Sequence, residues 1–407
     1  MDRHTVLIVG GGSAGIAVAA SLKSRRRDLA ITLVEPSDTH VYQPGWTMVG
    51  GGVFGAEVTA RAMDSVIPAG VNRIKAAVTE FRPDQNSLVL NDGRELGYDW
   101  LIVATGIQAD WDAIPGLAAT LGKNGVTSNY RYDLAPYTWE LVQKTRSGRA
   151  IFTQPPMPIK CPGAPQKAMY LSCSAWLKSK ILPQIEVQFH NAGPALFGVA
   201  PYVPGLMRYI QKYNIQLNLG SRLMAVDGPN HTATFAKAGA DGAVTETQVK
   251  FDMLHVVPPQ KPLAVVAKSP LADASGFVEV DPTTLRHTRF ANVFSLGDAC
   301  STPNSKTAAA ARKQAPLVAE HLLAAIDGRA LVYAYDGYGS CPLTVEHGKV
   351  ILAEFGYGGK LLPSFPLDST VPRRLNWWLK ASFLPWMYWN AMLKGREWLA
   401  LPRHKNG

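Results

Sequence analysis

Residues 5–9 (Thr-Val-Leu-Ile-Val) are apolar and β-branched, with no polar alternation. That pattern predicts a strand buried on both faces of a parallel sheet. Further strands are expected at residues 30–34, 98–103, 149–153, 185–190 and 292–296. Between them lie stretches of helical character, among them the Ala-rich, Pro-free residues 16–23, the segment 167–177 and the Ala-rich segment 307–311. Strands alternating with helices predict an α/β fold.

The first strand runs straight into Gly10-Gly11-Gly12-Ser13-Ala14-Gly15, and a helix is expected to follow. A G-x-G-x-x-G segment between a strand and a helix has the context of a dinucleotide site. Gly10 allows the tight turn, Gly12 lets a pyrophosphate approach the backbone, and Gly15 lets helix and strand pack closely. Ser13 and Ala14 open the helix, whose free N–H groups and partial positive charge favour phosphate. Glu35, 20 residues past Gly15, ends the second strand. Its carboxylate suits the ribose hydroxyls of an adenosine and repels a 2′-phosphate.

The length, 407 residues with 47% hydrophobic, calls for at least two domains of ~100–200 residues. With 18% charged residues and no low-complexity run, the chain reads as globular. The net charge of +10 could serve nucleic acid, anionic lipid or a small anion. Lys and Arg are spread along the chain and no nucleic-acid-binding motif is present, so nucleic acid is not expected as a partner. No signal-peptide core precedes residue 5, and no run of 18 apolar residues predicts a membrane span. The cysteines Cys161, Cys173, Cys300 and Cys341 contain no CxxC pair, and no metal site is expected.

Residues 98–103 end in Ala104-Thr105-Gly106, and residues 292–296 end in Gly297-Asp298-Ala299. In this order, each at a strand end, they resemble the second and third flavin fingerprints of the two-dinucleotide-binding flavoproteins. The resemblance implies FAD, with Asp298 on its ribityl chain. That family carries a second glycine fingerprint for NAD(P)H near mid-chain. Here the strand at 149–153 is followed by Gln154-Pro155-Pro156, and prolines remove backbone donors. The nicotinamide site is therefore expected to be lost, so electrons must come from another donor.

Cys161 lies between Lys160 and Lys167 in a Pro/Gly-rich loop, and neighbouring cations favour the reactive thiolate. Cys341 stands 180 positions later, in Gly339-Ser340-Cys341-Pro342-Leu343. No sequence rule pairs the two. However, the segment from Cys161-Pro-Gly-Ala-Pro-Gln-Lys167 to Ser172 is one of several that resemble the sulfide:quinone oxidoreductase family. The others are Ser305-Lys306-Thr307, Tyr335 through Leu343, and Ile351-Leu-Ala-Glu-Phe355. The likeness is to the two-cysteine branch that includes the mitochondrial enzymes. Many bacterial members have a third cysteine near residues 126–129, where this chain reads Val-Thr-Ser-Asn.

The resemblance implies a Cys161–Cys341 redox disulfide. It implies that sulfide is oxidised to a cysteine persulfide, that two electrons pass through FAD to a ubiquinone-type quinone, and that the sulfane sulfur goes to glutathione, sulfite or more sulfide. Lys306, at a helix start, would stabilise reduced flavin, and Lys167 could lower the thiol pKa or face solvent. Cys173 and Cys300 are expected to be buried and inert. Type II NADH:quinone reductase, flavocytochrome c sulfide dehydrogenase and a silent FAD-binding partner are the competing readings, and a homo-oligomer is left open.

From residue 372 the composition changes. Trp377, Trp378, Trp386, Trp389 and Trp398 are half of the chain's ten tryptophans, flanked by Arg373, Arg374, Lys380, Lys394 and Arg396, and Pro385 is expected to split the segment into two helices. Aromatic residues with basic borders predict an element lying in a membrane interface. The expected architecture is two Rossmann-like, glutathione-reductase-like domains plus this C-terminal membrane-associating element. The FAD domain takes residues 1–108 and 275–340, the second domain 109–274, and the C-terminal region 341–407. The expected place is peripheral, on the cytoplasmic or inner membrane, facing cytoplasm or matrix. Ending the chain before Pro372 is expected to abolish membrane binding and leave FAD in place.

Overall fold

The computed structural model describes residues 2–239 and 243–404. A parallel sheet is built from Val71–Ile74, Ile31–Val34, Asp2–Val9, Glu95–Val103 and Val293–Ser295, in that order. The inner halves of its strands are buried on both faces, which is why they read as unbroken apolar runs. Two antiparallel strands, Ser87–Leu90 and Val78–Arg82, extend it beside the first half of Glu95–Val103.

A second parallel sheet follows the same plan, with Val126–Thr127, Met253–His255, Gly148–Gln154, Ile185–Asn191 and Gln216–Leu219 side by side. An antiparallel meander of Ser221–Asp227, Thr232–Ala238 and Val244–Lys250 leads away from it. The expected strands all form, with ends displaced by one to three residues. The helices run longer than expected, over Ala164–Lys178 and Ala308–Ile326.

The chain after residue 338 is divided between two cores. The hairpin Gly339–Glu346 and Lys349–Phe355 places Cys341, Leu343 and Ile351 in the core built on Phe152, Val187 and Met169. The end of the chain packs Tyr388, Trp389, Met392 and Leu393 against the core of the first sheet. Arg25 joins it there, bonding Glu397 at 2.6 Å and Glu320 at 2.6 Å.

One sequence expectation is corrected here. Pro385 does not split the segment. Arg374–Trp378 continues through a π-helical turn, Leu379–Phe383, into Leu384–Asn390, with Pro385 in the first turn of that last helix. The wider π turn before it gives the proline ring room against the preceding turn and absorbs the register change. The tryptophans are divided between surface and core. Trp378, Trp386 and Trp398 are 54%, 46% and 48% exposed, whereas Trp389 is 4% exposed. Trp378, Phe383, Trp386 and Trp398 stack in sequence at 5.8–6.0 Å on the outside. Among the described residues, no helix is long and apolar enough to cross a membrane.

Candidate active site

The glycine turn has the geometry the sequence requires. Gly10 has φ +104°, and a Cβ there would lie 2.5 Å from the Ala104 carbonyl oxygen. A Cβ on Gly15 would lie 1.8 Å from the Gly10 carbonyl oxygen, so no other residue fits. Gly12 faces open space where helix Ser13–Arg25 begins. Glu35 holds this turn, accepting from Gly11 N–H at 2.6 Å and from Ser37 N–H at 2.7 Å.

Around the adjoining strand ends, several buried polar atoms lack a protein partner, among them Thr105 Oγ1, Ser305 Oγ and Gln314 Nε2. Gln314 Oε1 meanwhile accepts from Gly297 N–H at 2.7 Å. An unpartnered buried polar group costs roughly 1–3 kcal/mol. A flavin dinucleotide, rich in donors and acceptors, fits residues left in this state. Burial raises the Asp298 carboxyl above its ordinary range, against the pull of Lys306 and Lys160. Lys306 is not a solvated helix-start lysine. Its ammonium donates to the carbonyls of Asp298 at 3.0 Å and Cys300 at 2.8 Å, and Thr307 caps the helix.

Cys161 sits in the left-handed region at φ +48°, uncommon for a non-glycine residue. Its N–H donates to the Lys306 carbonyl at 2.7 Å, and its own carbonyl accepts from Tyr130 Oη at 3.2 Å. These bonds hold the Cys161 backbone beside Lys306. Tertiary packing brings Cys341 to Cys161, because the hairpin lies over the start of helix Ala164–Lys178. The glycine at 163 makes room for the hairpin: a Cβ there would lie 2.3 Å from Leu343 Cδ2 and 3.6 Å from Cys341 Cβ. The two thiols are free and lie within electrostatic reach of each other.

Lys167, 2% exposed, donates to Cys161 Sγ at 3.1 Å, which decides between the two roles the sequence allowed it. The Cys161 pKa is driven well below the ordinary thiol value by the neighbouring Cys341 and, against burial, by Lys167. Cys341 is pushed far up by the neighbouring Cys161 and by burial. Burial alone would lower Lys167, but the neighbouring Cys161 and Cys341 raise it overall.

Lys380 was read from the sequence as a basic border of the membrane segment. It is instead 4% exposed, donates to the Pro44 carbonyl at 2.9 Å, and lies within electrostatic reach of Lys167 and both thiols. Burial and Lys167 bring it down to about 7. The one local signal was a lysine in an otherwise aromatic stretch. Cys173 is fully buried with its thiol pushed up by burial, and Cys300 is buried and donates to the Gly297 carbonyl at 3.2 Å. His190 and His347 are tied into hydrogen bonds with Ser221 and Ser174, and Glu140 pairs with Lys144 on the surface.

A family description, pyridine nucleotide-disulphide oxidoreductase, matches residues 4–136. A mitochondrial sulfide:quinone oxidoreductase of Dictyostelium discoideum is 41% identical, covering 96% of this chain and 86% of the relative. A mitochondrial sulfide:quinone oxidoreductase of Mus musculus is 38% identical, covering 97% and 87%. The crystal structure of the sulfide:quinone oxidoreductase of Aquifex aeolicus superposes with a TM-score of 0.79 at 19% identity, covering 98% of this chain and 92% of that one, a likeness of fold. Matched along nearly its whole length by relatives of this kind, the chain belongs to the sulfide:quinone oxidoreductase family.

Proposed function

We propose that this chain oxidises sulfide at a Cys161–Cys341 disulfide and passes the two electrons through FAD to a membrane quinone. The single observation that carries this reading is the pair of cysteines, half-buried Cys161 and buried Cys341, brought together with buried Lys167. The FAD-binding set is Gly10, Gly12, Ser13, Ala14, Gly15, Glu35, Ala104, Thr105, Gly106, Gly297, Asp298 and Lys306. Domains of 1–108 with 275–340, and of 109–274, accord with the membership of the two sheets.

The difference between the thiols sets the direction of attack. A disulfide sulfur is attacked so as to expel the better-stabilised thiolate. Hydrosulfide therefore bonds to Cys341 Sγ, the Cys161–Cys341 bond breaks, and Cys161 leaves as a thiolate held by the Lys167 ammonium. Cys341 now carries a persulfide. Transfer of its outer sulfur to glutathione, sulfite or another sulfide leaves both cysteines reduced. Their return to the disulfide releases two electrons, for which bound FAD is the acceptor and the relay to quinone. Adding sulfide anaerobically to the pure holoenzyme is expected to bleach the flavin within the mixing time of a manual assay. Bleaching by NADH alone would overturn the reading and favour the type II NADH:quinone reductase alternative.

Lys167→Met keeps the buried volume and removes the charge. After anaerobic reduction, Cys161 in this variant is expected to be mostly thiol at pH 7. Its alkylation by iodoacetamide should slow at least about tenfold and recover as pH rises. An unchanged rate would mean that Cys341 alone holds the thiolate.

The exposed ring stack, bordered by exposed Arg374, Lys394 and Arg396, supports a peripheral seat on the bilayer. We place it on the cytoplasmic or inner membrane. Replacing Trp378, Trp386 and Trp398 together by serine removes rings that already face water, so the fold and FAD content should survive. Sedimentation with liposomes is expected to fall at least about tenfold while sulfide still bleaches the flavin. Unchanged sedimentation would put the membrane surface elsewhere.

A further inference from the structure

The last helix reaches the phosphate-binding turn from behind. Leu384–Asn390 turns Trp386 outward and Tyr388 and Trp389 inward. The Tyr388 hydroxyl lies 2.7 Å from Ser13 Oγ and 2.6 Å from His40 Nε2. His40 Nδ1 lies 3.0 Å from the Gly11 carbonyl oxygen. Tyr388 and His40 are both buried. Tyr42 packs on the Tyr388 ring at 4.5 Å, and the Arg61 guanidinium covers Trp389 at 4.2 Å, so the helix has little freedom to turn.

The chemistry of the groups gives this chain of bonds one polarity. A carbonyl oxygen only accepts, so His40 Nδ1 carries the proton. Burial keeps the imidazole neutral, pushed down to about 4. Nε2 is then bare and accepts from Tyr388. Tyr388 has spent its one hydrogen, so its oxygen accepts from the Ser13 hydroxyl. The bonds run from Ser13 to Tyr388 to His40 to Gly11. Their two ends are the first residue of the phosphate-facing helix and the middle glycine of the turn. They therefore bracket Gly12, the residue with open space above it.

We propose that Tyr388 is a positioning residue for FAD: through Ser13 and His40 it holds residues 11–13 so that the N–H groups at the helix start are aimed at the pyrophosphate before it arrives. This rests on the reading that the Gly10–Gly15 turn holds that pyrophosphate. Tyr388 lies 375 residues from Ser13 and outside every flavin fingerprint. Preorganising a binding loop lowers the ordering cost that the ligand otherwise meets.

The test is Tyr388→Phe, which keeps the ring and its packing and removes only the hydroxyl. Apoprotein is prepared, its melting temperature is measured without and with FAD, and FAD is titrated by flavin fluorescence. Loss of one hydrogen bond corresponds to a rise in the FAD Kd of about three- to tenfold. The apoprotein should melt within about 2 °C of wild type, while the extra stabilisation by FAD shrinks. In a Ser13→Ala background, Tyr388→Phe is expected to add little. An unchanged Kd, an equal drop in both melting temperatures with Kd unchanged, or full additivity with Ser13→Ala overturns the proposal. Should the variant apoprotein not refold, FAD release from the holoenzyme decides instead: three- to tenfold faster supports the proposal, and the wild-type rate overturns it. A wild-type apoprotein that does not take up FAD would refute the underlying site and not this residue's role in it.

Discussion

Cys341→Ser is expected to abolish sulfide-driven quinone reduction, by at least about 1,000-fold, while FAD content stays that of the wild type. The magnitude follows from removing the atom that forms the covalent intermediate, for which the remaining machinery cannot compensate. Cys161→Ser should show the same loss for a different reason. It removes the leaving thiolate that Lys167 stabilises, so hydrosulfide has no disulfide to open. Neither change disturbs the glycine turn, Glu35 or Asp298, which lie on other segments. Cys173→Ser is the control. It places a hydroxyl in a fully buried site and should cost about 1–2 kcal/mol of stability, with turnover per folded enzyme retained. Steady-state assays with sulfide and a soluble quinone check all three, and near-normal turnover in either Cys161→Ser or Cys341→Ser refutes the two-cysteine mechanism.

Ending the chain before Pro372 is expected to yield an insoluble or FAD-free product, the reverse of what the composition of the segment suggests. The deletion removes Tyr388, Trp389, Met392 and Leu393 from the core that contains Val6, Leu7 and Ile102. Deleting one buried tryptophan side chain costs about 3–5 kcal/mol. Four buried side chains together reach or exceed the ~5–15 kcal/mol by which a folded domain is stable. The truncation also strips Glu397 from Arg25, one of its two carboxylate partners among the described residues. Soluble yield, bound flavin and a thermal melt would check this. A soluble, FAD-loaded truncated chain melting near the full-length temperature would show that the segment is a detachable surface element.

The glycine turn of the candidate site was legible because its parts are contiguous. A buried strand, a glycine turn and a helix start lie within residues 2–25, and steric rules over neighbouring residues settle their geometry. The strand-end pairs at 104–106 and 297–298 were legible for the same reason. Lys167 was half legible. Its nearness to Cys161 in sequence was plain, but its direction depends on the helix beginning at Ala164, which turns the lysine inward.

Lys380 and the sorting of the tryptophans were not legible. Residues 377–389 carry apolar rings on every side of the helix, so no polar stripe marks the outer face. The π-helical turn then shifts the register once more, and which ring meets the core depends on where helix Ser13–Arg25 and the residues near Pro44 already lie.

The sequence by itself thus determined the α/β plan, the glycine turn and the loss of the second glycine fingerprint, because each is a property of a few adjacent residues. Only the tertiary structure decided that Cys341 reaches Cys161, that the two thiols differ in acidity, and that the chain's end is split between core and surface. The physical reason is that contacts across 180 residues arise from how finished elements pack, and the periodicity of a single segment carries no information about what another segment will bring against it.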